Sequence, residues 1–465
     1  MKASKRFQTG LIFAAVAAAI SLAGCDQVKE VTSAAEPGVT QAEVKQNYVQ
    51  LAHAMYLDSL ITAQALQASV NAFLAAPSEQ TLEAAKASYA EARVPYQQSE
   101  IMRFDSAKGH VSQGLDADGG PASVDDWEGQ VNAWPFDEAL IDYVNDEYEG
   151  EYAESANVIN STEISFNGQT VGTEEISAEL LISLNEFGGS EANVGTGIHA
   201  VEFMLWGQDI HGTEPGPGER PVSDFYTQSE QGECTSGAFV HEDHSICQRR
   251  AQYLQVAMDL YVADLEQMTE QWTPEASQKE GTLAHDYLNR GDNDAMARII
   301  ESMGDMAVGE LASERMRVAV LFGSTEDEHD CFSDMSHIAI YNNAIGVANA
   351  YHGQYQSLQG NSVSGASMSD LVKAANPELD TQIQDALTGI KAQMQAIVDM
   401  ADSGIAFDQI VGGTMEQKKV VLDAANALVA LGPKFEAAAQ AVGIGIGEFD
   451  TGTCSGSTQS DCEEE

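Results

Sequence analysis

Between residues 249 and 272, apolar side chains recur at alternating steps of three and four: Ala251, Leu254, Met258, Tyr261, Leu265, Met268 and Trp272. A helix of 3.6 residues per turn gathers such positions on one stripe, and a stripe that long needs partner helices to cover it. The pattern returns at Ile383, Leu387, Ile390, Met394 and Ile397, and at Val420, Val421, Ala424, Leu428 and Leu431. Near the start, Thr40-Gln41-Ala42-Glu43 has the form of a capping box, in which the Thr and Glu side chains satisfy free backbone N–H groups. Val44, Tyr48, Leu51 and Met55 follow on one helical face. Pro77-Ser78 opens a further helix with Leu82, Ala85, Tyr89 and Ala92 on its stripe, which Pro95 is expected to kink or end. Residues 105–174 read as loops with short elements, and the alternation from Glu163 to Val171 predicts a small hairpin. The expected fold class is all-α, with two helical-bundle domains, an internal duplication being one origin for them, and irregular loops. The boundaries are 40–278 for the first domain and 279–445 for the second, where Pro274, Ser277 and Gly281 interrupt the pattern. A tail over 446–465 is acidic and carries two cysteines.

The N-terminus carries an address. Lys2, Lys5 and Arg6 precede an apolar run from Leu11 to Ile20, which ends in Leu22-Ala23-Gly24-Cys25. A basic start, a short apolar stretch and small residues describe a secretion signal. The run falls short of the roughly 20 apolar residues a spanning helix needs. Cys25 after Leu-Ala-Gly resembles a bacterial lipobox, which predicts removal of 1–24, lipidation of Cys25 and a tether over 25–39. An ordinary signal peptide with an unrelated cysteine is the simpler alternative. Asp26 resembles the signal that retains such lipoproteins on the inner membrane. The expected location is the bacterial cell envelope, on the periplasmic face, with a lipid anchor. In an oxidising compartment, Cys234 with Cys247 and Cys454 with Cys462 are predicted to form two short-loop disulfides. Cys331 is then left as a buried thiol. No Cys-x-x-Cys pair offers a zinc-thiolate site.

The chain holds 72 acidic against 22 basic residues, a formal net charge of −50. Such a surface repels phosphate backbones, which excludes a nucleic acid partner. It also attracts cations, although solubility in salty surroundings explains the same charge without any specific ligand.

The chemistry concentrates in Gly195-Thr-Gly-Ile-His-Ala-Val-Glu-Phe-Met-Leu-Trp-Gly-Gln-Asp209. His199 and Glu202 lie three apart, so on a helix both point to nearly the same side. An imidazole and a carboxylate so placed can share one divalent cation, and carboxylate-rich bundle sites use related spacings. They can equally form a hydrogen bond that fixes helix packing. Gly195 and Gly197 would let another backbone or a ligand come close. Trp206 is placed to wall off the site. His-Glu-x-x-His is absent, so no specific hydrolytic machinery is visible. His241-Glu242-Asp243-His244 reads as an exposed acidic loop, and Glu326-Asp-Glu-His329 as a charge cluster near a helix start. Tyr341 and Tyr351 read as core.

Gly197-x-His199-x-x-Glu202 with Leu205-Trp206-Gly207 resembles the imelysin-like family. So do Glu310-Leu-Ala-Ser-Glu-Arg-Met316, Glu326-Asp-Glu-His-Asp-Cys-Phe-Ser-Asp334 with His337, and Ala92-Arg93 through Tyr96 to Ser99-Glu100. The later motifs look especially like the iron-regulated protein A branch, and the likeness spans about 40–440. The resemblance implies two bundle-like domains related by duplication, an envelope location and a link to iron acquisition. It implies His199 and Glu202 as metal ligands, with Glu100 as a candidate third ligand and Asp209 as a weaker fourth. It places the 310–337 motifs around the same pocket without a ligand role. Three functions are then open. The first is a lipid-anchored protein that binds iron or another divalent cation, or an iron-containing ligand, for delivery to an iron-uptake transporter. Oxygen ligands with one imidazole favour iron, and zinc is the other metal to weigh. The second is a metallopeptidase using the same site, and the third a metal-free module that binds a partner.

Overall fold

The Thr40 capping box forms, with Glu43 N–H on the Thr40 hydroxyl and the Glu43 carboxylate on the Thr40 N–H. It starts α1 (Gln41–Ala75), whose stripe of Val44, Tyr48, Leu51 and Met55 is buried. The structure is a computed structural model that describes residues 38–103, 124–146, 148, 150–152, 154–236, 239–240, 245–360, 362–449 and 451–462. The expected signal sequence, Cys25, Asp26, most of the tether and the cluster His241-Glu242-Asp243-His244 lie outside the described residues. After Gly38, the chain forms the unit Val39–Glu465.

Ser78 caps α2 (Glu79–Ser99). This helix does not stop at Pro95 but runs on to Ser99. Burial of Tyr96, Gln97 and Ser99 after the proline compensates for the backbone bond that proline cannot make. Four shorter helices come next: α3 (Val124–Val131), α4 (Glu138–Ile141), α5 (Ala178–Ser183) and α6 (Gly197–Trp206). The periodic segment forms α7 (Ser245–Trp272), which packs on α1 and α6. Beyond it lie α8 (Leu283–Asn289) and α9 (Asp292–Asp305). The chain continues from α9 through a π-helical stretch, Met306–Val318, into α10 (Ala319–Phe322). The remaining helices are α11 (Ser336–His352), α12 (Met368–Ala375), α13 (Pro377–Asp402), α14 (Phe407–Val411), α15 (Met415–Val429) and α16 (Gly432–Ala441). The long packing surfaces are α1 on α2, α2 on α11, α11 on α13, α13 on α15, and α15 on the π-helical stretch. The apolar stripes of α7, α13 and α15 are buried apart from the half-buried Ala251 and Val420, and the fold is all-α as expected.

The predicted hairpin forms between β1 (Glu163–Phe166) and β2 (Gln169–Gly172), turning at Asn167-Gly168. Both turn residues have positive φ, the conformation an Asn-Gly pair tolerates best. Two further antiparallel pairs are shorter: β3 (Thr235–Ser236) with β4 (Phe239–Val240), and β5 (Gln354–Gln356) with β6 (Ser362–Ser364). Both expected disulfides form, Cys234–Cys247 and Cys454–Cys462, and Cys331 is a buried free thiol. Among the described residues, no helix is long and apolar enough to cross a membrane.

Candidate metal centre

Every residue of α6 is buried, so its short length carries no solvent face. Gly197 makes this possible. Its φ is +85°, and a Cβ there would stand 2.7 Å from the Val131 carbonyl oxygen. Close approach of a backbone segment, rather than of a ligand, is thus what the glycine permits. His199 and Glu202 project from α6 on one side, and His199 Nδ1 lies 2.8 Å from Glu202 Oε2. The other carboxylate oxygen, Glu202 Oε1, accepts from the Ser333 N–H at 3.0 Å and the Ser333 hydroxyl at 2.5 Å. His199 is 1 % exposed and Glu202 0 %. His199 Nε2 is buried and has no hydrogen-bond partner.

Asp330 completes the cluster. One ligand atom each from His199, Glu202 and Asp330 lies within 4.8 Å of the other two. Arg93 of α2 grips Asp330 through two nitrogens, at 2.6 and 2.9 Å, and Tyr89 donates to it at 3.2 Å. His329 turns its Nδ1 to Asp330 at 3.0 Å and packs edge-on against His199, ring centroids 4.8 Å apart. On the other side the Trp134 ring stands 5.0 Å from the His199 ring. Trp134 and His329 also line a cleft of about 1050 Å³, so the two rings separate His199 from the open space. Trp206 does not wall the site. It stacks edge-on against Tyr89, one layer further out, because the residue four after Glu202 follows the helix axis away from the imidazole.

Burial, helped by the Arg93 charge, pushes the His199 imidazole down to about 3. Burial and the nearby Asp330 charge push Glu202 up to about 8. Both shifts disfavour the charged forms, so burial works against an imidazolium–carboxylate ion pair here even though the atoms stand at ion-pair distance. Burial would raise Asp330 too, but the Arg93 guanidinium holds it well below the usual carboxylate range. His329 is pushed down to about 3 by burial and by Arg315.

Glu100 does not converge on this cluster. Arg315 takes both its oxygens, at 2.7 and 3.0 Å, and Asn132 and Asn343 donate to it as well. Against the upward push of burial, Arg315 lowers its pKa. A carboxylate with both oxygens so engaged has no lone pair directed at His199. Arg315 also bonds Glu310, five residues earlier, at 2.8 Å. The i to i+5 repeat of the π-helical stretch brings that pair onto one face. Asn132 ties this frame to the first cluster: it donates to Glu100, accepts from Arg93 at 2.8 Å and lies 3.4 Å from His329 Nε2. Asp209 stands elsewhere, in a second group with Asp334 and Asp408. Glu328 and His329 are buried rather than forming a solvated charge cluster. Sequence reasoning assigned no role to Asp330, Ser333, Arg93 or His329. The signal for His329, Asp330 and Ser333 was the motif Glu326 to Asp334, placed around the pocket without a ligand role, and that for Arg93 was the segment Ala92-Arg93 to Glu100.

The donor set fits a divalent cation. It offers an imidazole nitrogen lacking any partner, a carboxylate and a second carboxylate, all in a dry setting where an unpaired polar atom costs about 1–3 kcal/mol. The comparisons with known proteins agree with the fold. The model of the imelysin family, peptidase family M75, matches residues 52–434. A solved structure described as an iron-regulated protein A precursor, from Parabacteroides distasonis, superposes with a TM-score of 0.53 at 16% identity. That match covers 88% of this chain and 97% of the other. An imelysin-like protein from Psychrobacter arcticum superposes with a TM-score of 0.52 at 13% identity, covering 88% of this chain and 98% of the other. No curated protein matches the chain.

Proposed function

We propose that this chain, which belongs to the imelysin family, is an envelope lipoprotein that holds a divalent cation, iron in the first instance, between His199, Glu202 and Asp330. The observation that carries this reading is the convergence of ligand atoms from His199, Glu202 and Asp330 within 4.8 Å of one another, with His199 Nε2 buried and unpartnered. Imidazole with oxygen ligands suits Fe²⁺, and Zn²⁺ is the competing occupant. On loading, Glu202 would give up its proton, and Ser333 would keep its second oxygen oriented. Arg93 neutralises Asp330 and fixes its direction, while Glu100 serves the frame through Arg315 and Asn132.

The cleft beyond Trp134 and His329 is the approach route in this reading. The near-complete burial of His199 and Glu202 suits a captured ion better than a peptide carbonyl, which needs an open position beside the metal and a base. Lipid on Cys25 would hold the protein on the membrane, each acyl chain contributing about 0.8 kcal/mol per buried CH₂. The bound ion would then pass to an iron-uptake transporter.

The test is a titration of chelator-stripped protein with Fe²⁺ under anaerobic conditions, and with Zn²⁺. The wild type is expected to bind one ion tightly. His199→Ala with Glu202→Ala should weaken that binding by more than the roughly 10–100-fold lost with a mere supporting contact. Equal affinity in wild type and variant removes the site from the proposal.

A further inference from the structure

Behind the turn that carries Ser333 lies a second group of acids that the first centre does not use. Asp209 comes from the loop after α6, Asp334 from the turn before α11, and Asp408 from the first turn of α14. One carboxylate oxygen from each lies within 4.8 Å of the others. Like charges that close repel strongly. Native structures keep such a group together by protonating some members or by placing something positive between them.

Among the described residues no lysine or arginine pairs with the group; the His211 imidazole is the cation-capable side chain that acts on Asp209 and Asp408. Asp408 is 1 % exposed, yet neither of its carboxylate oxygens has a hydrogen-bond partner. Glu328 is 0 % exposed, its carboxylate oxygens also lack partners, and the charges acting on it most are those of Asp408, Asp334 and Asp209. Asp209 Oδ1 accepts from the His211 N–H at 2.8 Å, but its Oδ2 is unpartnered, as is Asp334 Oδ1. Among the described residues, none of the four carboxylates makes an ion pair with Lys or Arg.

The geometry points to a second cation site, formed by Asp209, Asp334 and Asp408 with Glu328 behind them, for an oxygen-coordinated divalent ion of calcium's size. The ligand type decides the class, since hard carboxylate oxygens are what Ca²⁺ and Mg²⁺ take. Tolerance of geometry favours calcium within it, since magnesium demands a near-ideal octahedron and keeps several waters. Calcium binds oxygens at 2.3–2.6 Å, so ligands on opposite sides stand about 5 Å apart, whereas magnesium demands a tighter shell. Two half-buried members leave room for water to complete the coordination. The two sites share no ligand, but they share a turn. Ser333 holds Glu202 through two hydrogen bonds, and Asp334 is the next residue. Calcium on Asp334 therefore fixes the turn that orients Glu202.

The test is equilibrium dialysis of the chelator-stripped full chain against radioactive Ca²⁺ at about 0.15 M salt, which screens diffuse attraction to the acidic surface. The wild type is expected to retain one calcium above that background. Asp209→Asn with Asp408→Asn should lower the affinity more than about tenfold. His199→Ala with Glu202→Ala should still retain one calcium, with the affinity lowered less than in the Asn variant, because Glu202 meets the site only through the shared turn. Without calcium the Asn variant should melt no lower than wild type, since it has shed repulsion. If that double variant does not fold, Asp209→Asn alone, at a half-buried position, gives the same reading. No calcium retained by the wild type, or equal retention in the Asn variants, overturns the proposal. Loss of calcium with His199→Ala and Glu202→Ala also overturns it, because the ion would then belong to the first centre.

Discussion

Asp142→Ala is expected to destabilise the fold by about 3–5 kcal/mol, the range for removing one partner of a buried ion pair, and to sit at the upper end. Asp142 serves two arginines. Arg250 of α7 reaches it at 2.6 and 2.9 Å, and Arg220 reaches it at 2.7 Å. Both guanidiniums are buried. Against the upward push of burial, Arg250 and then Arg220 hold Asp142 down to about 2. Without it, both cations depend on Asp224, which lies 3.1 Å from Arg220 and 3.8 Å from Arg250. Arg220 also donates to the Phe203 carbonyl in α6, so the loss loosens the helix that carries His199 and Glu202. Urea unfolding monitored by helical circular dichroism reads the cost. A change under about 1 kcal/mol would mean that water reaches the two arginines, against their burial.

In the ion-free protein two histidines are expected to remove stability as pH falls from about 6.5 towards 3, while Glu202, raised to about 8, and Asp334, raised to about 7, add stability over the same fall. Burial holds His199 and His329 down to about 3, whereas in the unfolded chain each has a pKa of about 6.5. Below 6.5 the unfolded state therefore binds protons that the folded state refuses. Each histidine contributes a slope of up to about 1.4 kcal/mol per pH unit until the pH reaches its folded value. Asp330, held low by Arg93, acts in the same direction further down, since its contribution is lost as pH falls below its unfolded value. Urea midpoints measured from pH 7 down to about 4 test this. His199→Gln with His329→Gln should make stability fall less, or rise more, than in wild type as pH drops over that range. An unchanged pH dependence in that variant would place the acid sensitivity elsewhere.

Much of the fold was legible because its signals are local. Thr40 and Glu43 are three residues apart, the α7 and α13 stripes repeat within one helix, and the two disulfides join cysteines 13 and 8 positions apart. His199 and Glu202 were legible for the same reason, being one helical turn apart. The rest of the centre was not. Arg93, Asp330 and Ser333 reach α6 from more than 100 positions away, and no spacing rule spans that distance. Trp134 faces His199 for a tertiary reason, while Trp206, the neighbour in sequence, points along the helix to Tyr89. Glu100 looked available as a helical carboxylate, because the arginine that occupies it arrives from a π-helical turn. The helix outruns Pro95 because the local propensity of proline is outweighed by the burial of Tyr96, Gln97 and Ser99. Asp209 is near His199 in the chain, but the loop after α6 carries it to Asp334 and Asp408 instead.

The two rings over His199 carry a kinetic consequence. Trp134 and His329 stand 5.0 and 4.8 Å from it, so an ion bound as proposed would reach the imidazole only as one of them swung aside. Uptake would then saturate with ion concentration, at the frequency of that swing. Release would be governed by the same gate, giving long residence without exceptional affinity.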